Sequence, residues 1–241
     1  MPILSMPALC VNFIITIFLF LVSSPTSHGA ENENYTTCQE RKYHCGEQIK
    51  GIGYPFWGED RPQLCGVQGF NLTCKGNENT TIVIEKQAFR VLHISQSAYS
   101  MTIARADLWD TICPEKFINT TLNFTPFYYG PYPHVVNLTL TYDCPPVVGP
   151  PDHTVEERSH FQCQVGAGGQ SCNINLFVPV FQEALDAFWV NNTMTVEELV
   201  NRGFGVAYHD VDNFQHCVAC QASGGECGAD TTNQAICFFQ G

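Results

Sequence analysis

The sequence predicts a mainly β, disulfide-rich fold built as two small modules of short antiparallel strands, the second of α+β character with one or two short helices. Three observations carry this. Thirteen cysteines occur in 241 residues, and twelve of them follow an apolar N-terminal segment. Short runs that alternate apolar and polar residues, bounded by turn residues, recur through 38–144. A stiff break, Pro145-Pro-Val-Val-Gly-Pro-Pro151, then separates them from a stretch in which strand and helix periodicities mix.

Taken in order, Leu9 to Val22 is apolar except for Asn12 and Thr16 and ends at Ser23-Ser24-Pro25, with small residues at Ser27, Gly29 and Ala30. That run is short for a bilayer, which needs about 20 residues, so residues 1–30 read as a signal peptide. The remaining organisation is a cysteine-rich module over 31–145, a Pro-rich linker over 146–160 and a second cysteine-rich module over 161–241. Secretion makes disulfides the expected state of Cys38, Cys45, Cys65, Cys74, Cys113, Cys144, Cys163, Cys172, Cys217, Cys220, Cys227 and Cys237, with the pairing left open. It also makes zinc or redox chemistry a poor reading of Cys217-x2-Cys220. Seven N-x-[ST] sequons, at Asn34, Asn71, Asn79, Asn119, Asn123, Asn137 and Asn191, point to a glycoprotein.

Strands are expected at Phe70–Cys74, Thr80–Glu85, Phe89–Ile94, Tyr99–Ala104 and Val136–Tyr142. In the last, Val136, Leu138, Leu140 and Tyr142 share one face and Asn137 the other. Ile174, Leu176, Val178 and Val180 alternate as a strand. Phe181, Ala184, Leu185 and Phe188 then fall at helical spacing. Thr195 with Glu198 forms a capping-box signature for a second helix that Gly203 ends. Phe204, Val206 and Tyr208 resume alternation, and 217–237 reads as a loop-rich cysteine tail.

The most informative stretch is Gly51-Ile-Gly-Tyr-Pro-Phe-Trp-Gly58, three aromatic rings on a stiff, cysteine-flanked loop. Exposed rings can stack on sugar faces, a stiff loop lowers the ordering cost of binding, and an Arg can grip a carboxylate at two points. Tyr54, Trp57, Lys50 and Arg61 are therefore the candidate ligand-binding residues, and Phe56 the candidate core ring. A second aromatic run, Phe127 to Pro133, reads first as a packed turn. Charge is lopsided: residues 31–116 hold 9 Lys/Arg against 11 Asp/Glu, and residues 117–241 hold 2 against 12. The acidic second half argues against nucleic acid as a partner. Metalloprotease, serine-hydrolase and P-loop motifs are absent, nothing selects a pair of carboxylates for glycoside hydrolysis, and no cofactor or metal is expected.

Three groups of motifs resemble the ectodomains of plant wall-associated receptor kinases, and more closely those of the leaf-rust-resistance receptor-like kinase type. The first is Cys45-Gly46, the loop 51–58, Arg61-Pro62, Cys65-Gly66 and Gly69-Phe-Asn-Leu-Thr-Cys74, similar to the family's galacturonan-binding module. The second is Ala104-Arg-Ala-Asp-Leu108, Cys113-Pro114, Asn119-Thr-Thr121 and Tyr142-Asp-Cys144-Pro145. The third, Gly203-Phe204, Cys217-x2-Cys220 and Ser223-Gly-Gly-Glu-Cys-Gly228, is similar to the family's C-terminal module. The family's tail closes with Cys-x-Cys, but Phe239 stands at the last position here, which leaves the partner of Cys237 open. The resemblance implies a non-enzymatic extracellular module that binds cell-wall pectin or oligogalacturonide, in the wall or at the plasma membrane. A peptide or a receptor ectodomain is the alternative partner. Receptor members continue into a membrane span and a Ser/Thr kinase, neither of which lies within these 241 residues.

Overall fold

A four-strand antiparallel meander organises the first half: β3 (Leu72–Lys75), β4 (Asn79–Ile84), β5 (Gln87–Ser95) and β6 (Ser100–Arg105). These come from a computed structural model that describes residues 28–122, 126–130, 133–143, 173–191, 194–208 and 211–241. The expected alternation is what builds the meander. Ile82, Ile84, Phe89, Val91, Met101 and Ile103 all turn inward, while Val83 and Ala88 on the opposite parity are exposed. Ahead of it lie the helix α1 (His28–Glu40) and a hairpin of β1 (Tyr43–Cys45) and β2 (Ile49–Ile52).

The meander does not close its own sheet. Strand β10 (Phe204–Tyr208), from the second half of the chain, lies antiparallel between β6 and β7 (Phe127–Tyr129), giving the order β3-β4-β5-β6-β10-β7. Phe204, Val206 and Tyr208 drive the insertion by burying their rings and methyls in the same core as Met101 and Ile103. Gly203, at φ 71°, admits the strand: a Cβ there would stand 2.2 Å from the carbonyl oxygen of Ile103.

A second layer holds the ribbon of β8 (Val135–Tyr142) and β9 (Ile174–Phe181), paired in register from Val135↔Phe181 to Tyr142↔Ile174. Leu140, Tyr142, Leu176 and Val178 face inward, and Asn137 and Thr139 outward, as the alternation requires. The helices α2 (Gln182–Asn191) and α3 (Val196–Asn201) cover the ribbon through Ala184, Leu199 and Val200. The capping box of α3 is complete: the Thr195 hydroxyl accepts from the Glu198 amide, and the Glu198 carboxylate accepts from the Thr195 amide. The Ala104-Arg-Ala-Asp-Leu108 motif also finds its reason. Arg105, 1% exposed, donates twice to the Asp107 carboxylate (2.6 and 3.0 Å) and once to the Ile118 carbonyl.

Two expectations need correction. The cysteine tail is not loop-rich: it forms the helix α4 (Val211–Ala222) and a hairpin of β11 (Glu226–Ala229) and β12 (Ala235–Phe238). Phe214, Cys217, Val218 and Gln221 carry helical spacing there, so the periodicity was present beneath the cysteine count. And α1, to which the sequence assigned no element, forms because Tyr35 and Cys38 bury against Cys65 and Phe238.

Four disulfides close within the described residues. Cys38–Cys65 holds α1 to the short turn Gln63–Cys65, Cys45–Cys74 joins β1 to β3, and Cys217–Cys227 and Cys220–Cys237 fasten α4 to its hairpin. Cys237 thus pairs with Cys220, while Phe239, in the expected cysteine position, lies exposed and its neighbour Phe238 is buried. Cys113 is also disulfide-bonded. Cys144, Cys163, Cys172, Asn123, the expected signal peptide before residue 28 and the expected Pro-rich linker lie outside the described residues.

Candidate functional site

The aromatic loop links β2 to the turn before β3, and its rings are sorted by depth. Phe56 is fully buried and meets Phe70 and Tyr208 edge to face, with centroids 5.4 and 5.0 Å apart. It is core, as read from the sequence. Tyr54 and Trp57 are half-buried. The Trp57 indole N–H donates to the Val67 carbonyl (2.9 Å), and its backbone bridges to β3, receiving the Leu72 amide at 2.8 Å. Gly66 supplies the floor under the indole, since a Cβ there would come within 2.7 Å of the ring. Gly58, at φ 133°, is the second obligatory glycine, for its Cβ would stand 2.0 Å from the Leu72 carbonyl oxygen.

Tyr54 has a second set of neighbours. It packs on the main core and also on Cys217, Cys220 and Cys227 of the C-terminal disulfide cluster. The loop backbone around it is gripped by Gln96, whose side chain accepts from the Gly53 amide and donates to the Tyr54 carbonyl, both at 3.3 Å. Gln96 was not singled out in the sequence, where a glutamine in a β-turn carries no distinguishing signal.

Arg61 is corrected from ligand clamp to internal fastener. It is 1% exposed, and its guanidinium donates to four backbone carbonyls: Phe56 (3.0 Å), Cys38 (2.7 Å), Arg41 (2.7 Å) and Cys65 (2.8 Å). Those carbonyls belong to the loop, the C-terminal end of α1 and its following residue, and the disulfide turn, so one side chain ties three segments together. Burial pulls its pKa down to about 10, opposed by the nearby Glu226 carboxylate, and it stays charged at neutral pH. Lys50 is exposed on the β1–β2 hairpin and pairs with Glu47 at 2.5 Å, an interaction that holds the Glu47 carboxyl below its ordinary value. The four candidates therefore separate into one internal cation, one surface cation and two half-buried rings with different neighbours.

Between the loop and α4 lies a cavity of about 40 Å³ lined by Tyr54, Pro55, Phe70, Tyr208, Phe214 and Cys217. The Tyr208 hydroxyl is buried beside it with no hydrogen-bond partner among the described residues, and burial pushes its pKa up. The space suits water-sized occupants, not a sugar ring. In the second aromatic run, Phe127 is core while Tyr128 and Tyr129 are each 41% exposed. Among the described residues no cluster of His, Cys, Asp and Glu could hold a metal ion, and no helix is long and apolar enough to cross a membrane.

Comparison with known proteins gives two family matches along the chain. A family model described as wall-associated receptor kinase galacturonan-binding matches residues 38–105, and one described as wall-associated receptor kinase C-terminal matches residues 151–241. Among curated proteins of Arabidopsis thaliana, the leaf rust 10 disease-resistance locus receptor-like protein kinase-like 1.4 is 31% identical over 79% of this chain and 28% of its own length. The kinase-like 2.4 is 31% identical over 78% of this chain and 30% of its own length, and the kinase-like 2.8 is 27% identical over 94% and 25%. The chain thus spans less than a third of each of these relatives. No solved structure matches it.

Proposed function

Since the chain is an ectodomain of the wall-associated receptor kinase type, with both extracellular modules in order, we propose that it binds pectin outside the cell, with de-esterified galacturonan as the ligand. The observation that supports this most is the pairing of the galacturonan-binding match over 38–105 with a loop whose backbone is already fixed. Arg61, Gln96 and the Trp57–Leu72 backbone bond hold its conformation through protein contacts, which lowers the ordering cost of binding. Tyr54 and Trp57 are the half-buried rings of the loop, and Lys50 is an exposed cation at its start in sequence.

The test is titration of the disulfide-bonded protein with oligogalacturonide of defined length. Trp57→Ala weakens binding about tenfold or more, equivalent to about 1.4 kcal/mol, and the folded fraction measured on the same sample separates this loss from the stability lost with the indole contacts to Val67 and Gly66. Added salt weakens the wild type, and Lys50→Gln binds less tightly with a shallower salt response. Absence of oligogalacturonide binding, together with capture of a peptide or another ectodomain, would replace this reading with a protein-interaction module.

A further inference from the structure

The β8–β9 ribbon presents an edge that calls for protection. Among the described residues β9 has β8 as its single strand partner. In an antiparallel pair, alternate residues turn their N–H toward the partner strand. The Gln182 amide crosses to the His134 carbonyl at 2.9 Å, so the even-numbered residues of β9 donate to β8 and the odd-numbered ones face outward. Two outward positions are already blunted. Pro179 has no N–H to offer, and the Phe177 amide is taken at 2.9 Å by the side-chain oxygen of Asn119. The Phe177 ring nevertheless remains 42% exposed beside that edge.

Asn119 opens the sequon Asn119-Thr120-Thr121 and is exposed. Its bond to Phe177 uses Oδ1, whereas an N-linked glycan is attached through Nδ2. The two uses are compatible, and together they would root a glycan directly on the outer edge of β9. We propose that Asn119 carries an N-linked glycan that seals this edge and shields Phe177 against strand pairing between copies. In the transfer, Asn119 Nδ2 attacks the anomeric carbon of a lipid-linked oligosaccharide pyrophosphate. The glycosyl C–N bond forms, the C–O bond to the pyrophosphate breaks, and the amide nitrogen gives up one proton. The proposal rests on the extracellular placement of the preceding reading.

The experiment expresses the full chain in plant cells, maps its glycopeptides by mass spectrometry and measures its oligomeric state by light scattering. Thr121→Ala removes the sequon but keeps the Asn119 side chain and its bond to Phe177. The wild type is expected to be glycosylated at Asn119. Thr121→Ala is expected to lose that glycan and to self-associate more with rising concentration, and adding Phe177→Thr to restore wild-type behaviour. Where Thr121→Ala accumulates poorly, endoglycosidase trimming of the folded wild type and of Phe177→Thr supplies the same comparison. A bare Asn119 beside occupied sequons elsewhere overturns this proposal alone, whereas a chain bare at every sequon overturns the extracellular placement too. An unglycosylated or trimmed protein as monodisperse as the wild type overturns the shielding role.

Discussion

Arg61 and Trp57 stand four residues apart and look alike as ligand candidates, yet they end in opposite environments. A guanidinium beside an aromatic loop is equally suited to gripping a carboxylate and to collecting backbone carbonyls. Which it does depends on where Cys38, Arg41 and Cys65 come to lie, and no local spacing encodes that. Arg61→Met strands four acceptors, each costing about 1–3 kcal/mol when buried and unpaired. Equilibrium urea unfolding should show a loss of about 3 kcal/mol or more, with sugar binding lost only as far as folding is. Gly203→Ala tests a different residue-level requirement. It forces a Cβ against the Ile103 carbonyl at a positive φ and is expected to cost about 2 kcal/mol in the same measurement.

The strands were legible because their periodicity is local: β6, β8 and β10 alternate an inward apolar set with an outward polar or small set, and β4, β5 and β9 do so apart from the exposed Val83 and Phe177 and the bulge at Val91–His93. The α3 capping box was legible for the same reason. Helix α4 was not, because its stripe includes two cysteines whose density suggested loops. The β11–β12 hairpin depends on Asp230, whose side-chain oxygen accepts from the Thr232 hydroxyl (2.7 Å) and amide (2.8 Å) and from the Gln234 amide (3.0 Å). These bonds, the Thr232 hydroxyl foremost, hold its pKa below the ordinary 3.8. A depressed carboxyl pKa stabilises the fold above the ordinary value, and the contribution is lost as pH falls through the folded value. Hydrogen exchange at the Gln234 amide, corrected for its intrinsic pH dependence, should keep its protection at pH 3.8 and lose it only at lower pH, as the depressed Asp230 carboxyl protonates. Asp230→Ala should lack protection at neutral pH.

For the molecule as a whole, the chain's two halves are joined at the level of hydrogen bonds. β10 fills the sheet between β6 and β7, Lys42 pairs with Glu226 at 2.5 Å, and a Cβ at Gly228 would stand 2.2 Å from the Leu64 carbonyl oxygen. A fragment of residues 28–145 lacks β10 and leaves Met101, Ile103 and Phe70 without Phe204, Val206 and Tyr208. It is expected to show no cooperative unfolding transition by circular dichroism, whereas the full chain does. A fragment that unfolds as sharply as the full chain would make the first half an independent unit.

The sequence by itself determined the mainly β, disulfide-rich class, the strand faces and the α3 cap. It also determined the family, because these follow from periodicity, cysteine number and motif order along the chain. Only the tertiary structure decided which cysteines pair, that Arg61 faces inward, and that a strand from the second half completes the first half's sheet. Each of those depends on groups distant in sequence meeting in one buried place, where burial and hydrogen-bond satisfaction act together and leave no local pattern to read.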